Sequence, residues 1–117
     1  MLLAYDGTPS ARRALQRAAV LHRDGARLGL IYVSEHGDDR DGHLEEARQA
    51  LADRGIEADP MAVTGSAAHA ICIAAERDGY DTIVIGRRNL RDTGQILLGS
   101  VASRVVAGAT CDVVVVA

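Results

Sequence analysis

The sequence predicts an α/β fold: an open, doubly wound parallel sheet of five strands, strand order 3-2-1-4-5, with helices on both faces. Three observations predict it. Short apolar runs alternate from end to end with longer segments whose apolar residues recur at helical spacing. Two of those runs, LGLIYV (28–33) and TIVIG (82–86), are continuous rather than alternating, as strands covered on both faces are. Turn signals of one kind, Asp6-Gly7, Asp24-Gly25, Arg54-Gly55 and Asp78-Gly79, punctuate the pattern. Strands joined through helices make right-handed crossovers and hence a parallel sheet.

Each element follows in order. LLAY (2–5) is the first strand, ended by Asp6-Gly7. Thr8 is placed as N-cap and Pro9 at the first position of a helix whose face is Ala11, Leu15, Ala18 and His22. LGLIYV is the second strand. The polar loop EHGDDRDGH (35–43) leads into a helix with the stripe Leu44, Ala47 and Leu51. IEADPMAV (56–63) alternates weakly and carries Pro60, which cannot donate to a ladder, so it reads as an edge strand. Ser66 is in position to cap the next helix, whose face is Ala67, Ala70, Ile71 and Ala74. TIVIG is the fourth strand. A last helix runs from Gly99 with Val101, Val105 and Ala109 on its face, and DVVVVA (112–117) is the fifth strand.

A chain of 117 residues points to one domain, 1–117. Its composition, 48% hydrophobic and 25% charged, is that of a globular protein. With no Phe or Trp, the core must be built from small and branched side chains, and stacking platforms for single-stranded nucleic acid are scarce. The net charge of −3 lacks the basic excess of a nucleic-acid footprint, so no nucleic-acid partner is expected. No apolar run reaches membrane-spanning length. MLLAYDGTPS has neither the basic start nor the apolar length of a signal peptide. Cys72 and Cys111 lie in apolar surroundings and read as buried free thiols, consistent with a cytoplasmic protein.

In open parallel sheets ligands bind beyond the carboxyl ends of the strands, where the strand order reverses. In the order 3-2-1-4-5 that point falls between the first and fourth strands. Two polar segments then face one crevice: Asp6-Gly7-Thr8, and GRRNLRDTGQILLGS from Gly86 to Ser100. The second resembles a phosphate loop, yet all thirteen basic residues are arginine and the usual loop lysine is missing. A helix N-terminus supplies what the lysine would: unpaired N–H groups and the positive end of the dipole. Gly99 admits an anion close to the backbone and Ser100 offers a hydroxyl. Asp6 suits a ribose hydroxyl or an adenine amine. Arg87, Arg88 or Arg91 could add charge there, but they read first as solvated loop arginines, and Gly94 as flexibility.

Other chemistries find little footing. A calcium loop with Gly42 in sixth place would put Gly37 first and Arg48 twelfth, where Asp and Glu are needed. His69 and Cys72 are spaced for one metal but have no second pair, so no metal site is expected. No Ser-His-Asp or paired-carboxylate arrangement can be placed, and no catalytic residue is assigned. Without lysine or a metal-binding carboxylate besides Asp6, slow ATP hydrolysis is the most the residues allow.

These residues resemble the universal stress protein family. Its signature after the fourth strand is G-x-x-G, nine residues, then G-[ST]; here Gly86-Arg87-Arg88-Asn89 is followed by nine residues and Gly99-Ser100. The resemblance extends to DGTPSARRAL, to GSAAHAICIAAERDGYDTIVIG and to GSVASRVVAGATCDVVVVA, nearly the whole chain. It implies a Rossmann-like domain that binds ATP, or AMP or ADP, with any Mg2+ arriving on the nucleotide, and that acts in the stress response as a homodimer paired through Asp112–Ala117. Mapped residue by residue, Asp6 with Gly7 and Thr8 meets the nucleoside. Val33 and Ile85 border the adenine. Gly86, Asn89, Gly99, Ser100 and Val101 take the phosphates. Asn89 departs from the family glycine, and the segment between the second and third strands looks shorter than usual. The alternative is a nucleotide-free dimerisation or scaffold module of the same fold, with its crevice filled by side chains.

Overall fold

The structure, a computed structural model, describes residues 1–87 and 98–117; the expectations for Arg88, Asn89, Arg91 and Gly94 lie outside the described residues. The elements, in chain order, are β1 (Leu2–Ala4), α1 (Pro9–Leu21), β2 (Gly29–Val33), α2 (His43–Ala52), β3 (Asp59–Val63), α3 (Ala67–Arg77), β4 (Thr82–Gly86), α4 (Ser100–Gly108) and β5 (Asp112–Val116). They form one sheet of order β3-β2-β1-β4-β5. Each of the four pairings is parallel.

Side chains of successive strand residues point to opposite faces, and the core divides accordingly. Leu3, Leu30 and Val84 lie abreast on β1, β2 and β4, and belong to a buried cluster with α1 and α2. Leu2, Ile31, Ile83 and Ile85 belong to a second cluster with α3 and α4. Both faces of β1 are therefore sealed, which is why a strand of only three residues can hold the centre of the sheet.

The helix ends show which signals act locally. Thr8 caps α1 as expected, its Oγ1 accepting the Ala11 N–H at 3.1 Å, with Pro9 following. Ser66 occupies the N-cap position of α3 but makes no side-chain cap bond. The loop before α2 is more organised than a solvated run: Asp39 accepts the Leu44 N–H at 2.8 Å and the Glu45 N–H at 3.0 Å, and so caps α2 from several residues upstream. Pro60 sits in β3, an edge strand paired only with β2. β3 begins at Asp59 rather than near Ile56, because the Ile56 N–H folds back onto Leu51 O at the end of α2.

Both cysteines are free, but they are half-buried rather than buried. Each lies at the margin of the α3–α4 core rather than in its centre. Partial burial still pushes both thiols up from their ordinary pKa.

Candidate functional site

β1 and β4 are neighbours whose connections leave to opposite sides, so the reversal of strand order falls between them. A pocket of about 140 Å³ opens at their carboxyl ends. Its floor is apolar sheet and helix, with Ala4, Ile31 and Ile85 from the strands and Ala67 and Ile71 from α3. Of the residues expected at the site, Asp6, Thr8, Val33, Ile85, Gly86, Gly99 and Val101 line it.

Two others among the described residues do not. Gly7 adopts φ +80°, a conformation natural to glycine. A Cβ there would stand 2.4 Å from Nδ1 of His43, which is not in the pocket wall. Its part is thus the turn that ends β1. Ser100 is exposed at the first position of α4 and does not line the cavity. Asn89 lies outside the described residues.

The polar groups are arranged by short-range bonds. Asp6 Oδ1 accepts both the Thr8 N–H at 3.1 Å and the Thr8 hydroxyl at 2.7 Å, and Thr8 in turn caps α1. The carboxylate is thereby held at the pocket wall with Oδ2 left for a ligand. Across the pocket, Gly99 precedes α4 without a side-chain cap, so the first amides of that helix have no intrahelical partner. The Gly99 N–H itself is engaged, donating to Arg87 O at 2.7 Å, while the Arg87 N–H donates to Val116 O at 2.8 Å. The amides that α4 can offer an anion therefore begin at Ser100 and Val101, not at Gly99.

Two glycines and an arginine change meaning in three dimensions. Gly86 lines the pocket, yet the missing side chain is required first by packing: a Cβ would lie 2.3 Å from Ser10 Oγ and 2.7 Å from Ser10 O. Arg87, read from sequence as solvated, is half-buried in the pocket wall. Its Nε is shielded from solvent and has no hydrogen-bond partner. Asp6 and Arg87 are the charged residues of the described lining. The cavity thus carries an acid on the β1 side and a cation on the β4 side, with an apolar floor between. Ser10, buried against Gly86, and Ala67 and Ile71, read as core positions, also reach the pocket. No sequence signal separates a core position from a pocket wall when both are apolar.

A polar cluster braces the β1 end of the site. Tyr5, a residue of the pocket lining, donates its hydroxyl to Glu46 Oε1 at 2.8 Å, and Arg12 Nε reaches the same oxygen at 3.4 Å. The Tyr5 hydrogen bond, aided by the Arg12 charge, holds the Glu46 carboxyl below its usual range. Burial, then the bond to Glu46, pushes the Tyr5 phenol up. A depressed carboxyl stabilises the fold above the unfolded carboxyl pKa, and that contribution fades as pH falls through the folded value. The raised phenol has the opposite sense: its contribution is complete below the ordinary tyrosine value and fades as pH rises through the folded one. Tyr5→Phe is therefore expected to move the Glu46 midpoint upward and to bring the onset of acid unfolding to higher pH. Carboxyl titration by NMR checks it; an unmoved midpoint would assign the depression to Arg12 alone.

Fold and pocket define an α/β protein with a small-ligand crevice at the switch point of a parallel sheet. Residues 37–117 match the model of the universal stress protein family. A universal stress protein of Thermus aquaticus is 37% identical over an alignment covering 99% of this chain and 96% of that one. The universal stress protein of Archaeoglobus fulgidus superposes with a TM-score of 0.86 at 24% identity, covering 99% of this chain and 96% of that one. A family protein from Arabidopsis thaliana, solved with AMP bound, superposes with a TM-score of 0.76 at 20% identity, covering 98% and 88%. The chain belongs to the universal stress protein family.

Proposed function

We propose that this chain is an adenine-nucleotide-binding regulatory domain, taking ATP, or AMP or ADP, in the crevice and acting as a dimer in the cytoplasmic stress response. The observation that carries the reading is the polarity of the pocket. A ligand that fits must offer hydrogen-bond donors to Asp6, an apolar face to Ile31, Val33 and Ile85, and negative charge to the α4 side. A nucleotide offers its ribose hydroxyls or amine, its base and its phosphates in that order. Asp6 and Thr8 then meet the nucleoside, with Gly7 shaping the turn, and Val33 and Ile85 border the base. Gly86, Asn89, Gly99, Ser100 and Val101 form the phosphate side. The AMP in the Arabidopsis relative supports the same ligand class. Among the described residues no three His, Cys, Asp or Glu side chains come together to hold a metal ion, so Mg2+ in this reading is carried by the phosphates of ATP. The nucleotide is a signal here, and no catalytic residue is assigned.

Dimerisation is proposed through β5. It pairs with β4 on one side, and Val113–Val116 remain half-buried on its free edge. An apolar edge of this kind is a liability unless paired, and a second copy across a two-fold axis would pair it. That edge serves equally the alternative of a nucleotide-free scaffold, which calls for a crevice filled by side chains. Calorimetric titration of the folded protein with ATP and with AMP tests the reading: saturable heat at or below millimolar nucleotide is expected, and none would overturn it. A sedimentation run showing monomer alone would remove the dimer.

A further inference from the structure

We propose that Arg87 is the residue that makes this crevice select a phosphorylated ligand, by pairing its guanidinium with the ligand's anionic group. The inference rests on the nucleotide reading above and assigns to one side chain the preference of nucleotide over nucleoside. Arg87 is half-buried in the pocket wall. Its Nε is out of contact with solvent and unbonded. A guanidinium N–H stripped of water and left without an acceptor is unfavourable, and an oxyanion in the cavity relieves it.

The backbone beneath it is fixed at both ends. Its N–H is bonded to Val116 O at 2.8 Å on β5, and its carbonyl accepts the Gly99 N–H at 2.7 Å at the start of α4. The side chain therefore departs from a point held beside the helix N-terminus, so guanidinium and helix amides serve one anion together. The opposing charge in the described lining, Asp6, lies on the β1 side and is occupied at Oδ1 by Thr8, leaving Arg87 without an internal carboxylate at the pocket. The planar fork of arginine suits two phosphate oxygens at once, which lysine cannot match.

The test titrates the wild type, Arg87→Gln and Arg87→Lys with ADP, AMP and adenosine by calorimetry. Circular dichroism confirms that each variant is folded. Arg87→Gln is expected to weaken ADP and AMP about 10- to 100-fold, as loss of a charge-assisted bond does, and to leave adenosine within about twofold. Arg87→Lys, which keeps the charge and loses the fork, should fall between. An equal loss for adenosine would mark Arg87 as purely structural and overturn the proposal, as would unchanged ADP binding. If Arg87→Gln does not fold, Arg87→Lys decides by the same comparison. A wild type that binds adenosine as tightly as ADP sinks this inference while sparing the nucleoside half of the earlier reading; one that binds none of the three sinks both.

Discussion

Gly86→Ala is expected to destabilise the protein by about 3 kcal/mol, an overpacking cost at the high end for a single added methyl, and to lower Tm by about 12 °C for a domain of this size. The added Cβ would meet the start of α1: Ser10 Oγ at 2.3 Å, Ser10 O at 2.7 Å and Ser10 C at 2.8 Å. A hydroxyl can rotate away, but the carbonyl belongs to a helix backbone and cannot move without shifting α1 off the sheet. Ser10→Ala should therefore fail to rescue Gly86→Ala, even though it removes the nearest atom. Thermal unfolding of the two single variants and the double checks this. Recovery of most of the lost Tm in the double would show that the hydroxyl, not the backbone, sets the limit. The experiment also separates the two uses of Gly86, since nucleotide affinity measured on the folded fraction reports on the pocket while Tm reports on the helix–strand contact.

Leu3→Ala should cost a similar amount, about 3 kcal/mol, through lost transfer energy plus the cavity left behind. Leu3 is 0% exposed, and in the sheet register it stands between Leu30 and Val84. The central strand offers nothing that can collapse into the space, since both neighbours are themselves tied into the ladder. Leu2→Ala, one residue earlier, opens a cavity in the other cluster and should cost a comparable amount, because Leu2 is also 0% exposed. Val20→Ala is the contrast. Val20 is 70% exposed despite lying on α1 beside buried Ala18, and its removal should stay within about 0.5 kcal/mol. Denaturant midpoints for the three variants test the contrast. A cost at Leu3 below that at Val20 would mean that β1 is not the buried central strand.

The strands and helices were legible because their signals are local. Thr8-Pro9 starts α1 through one hydroxyl reaching a backbone amide three residues on, and Pro60 marks an edge because a missing N–H is a property of proline alone. The order 3-2-1-4-5 was also within reach, since handed crossovers leave few arrangements for this alternation. Seven of the residues named from the family signature and the loop after β1, among them Asp6, Ile85 and Gly99, line the pocket. Less legible was which polar residue closes each helix end. Asp39 capping α2 looked like one acid among several in a polar loop, and Ser66, with an ideal residue type in the ideal place, makes no side-chain cap. Propensity records what a residue can do, and the path of the chain decides whether it does.

Composition and periodicity were enough to establish a parallel α/β sheet and where its crevice must open. Both depend on spacings of two to four residues and on the handedness of L-amino acids. The chemistry of the crevice needed the folded chain. Gly86 reads as a phosphate-loop glycine until Ser10, on a different element, is seen to occupy the place of its side chain. Gly99 reads as the opening that lets an anion reach the helix amides, but its own amide is bonded to Arg87 O, and Arg87 reads as solvated until its Nε is found shielded. Burial and hydrogen-bond satisfaction are sums over neighbours brought together from across the chain. No window of sequence contains them.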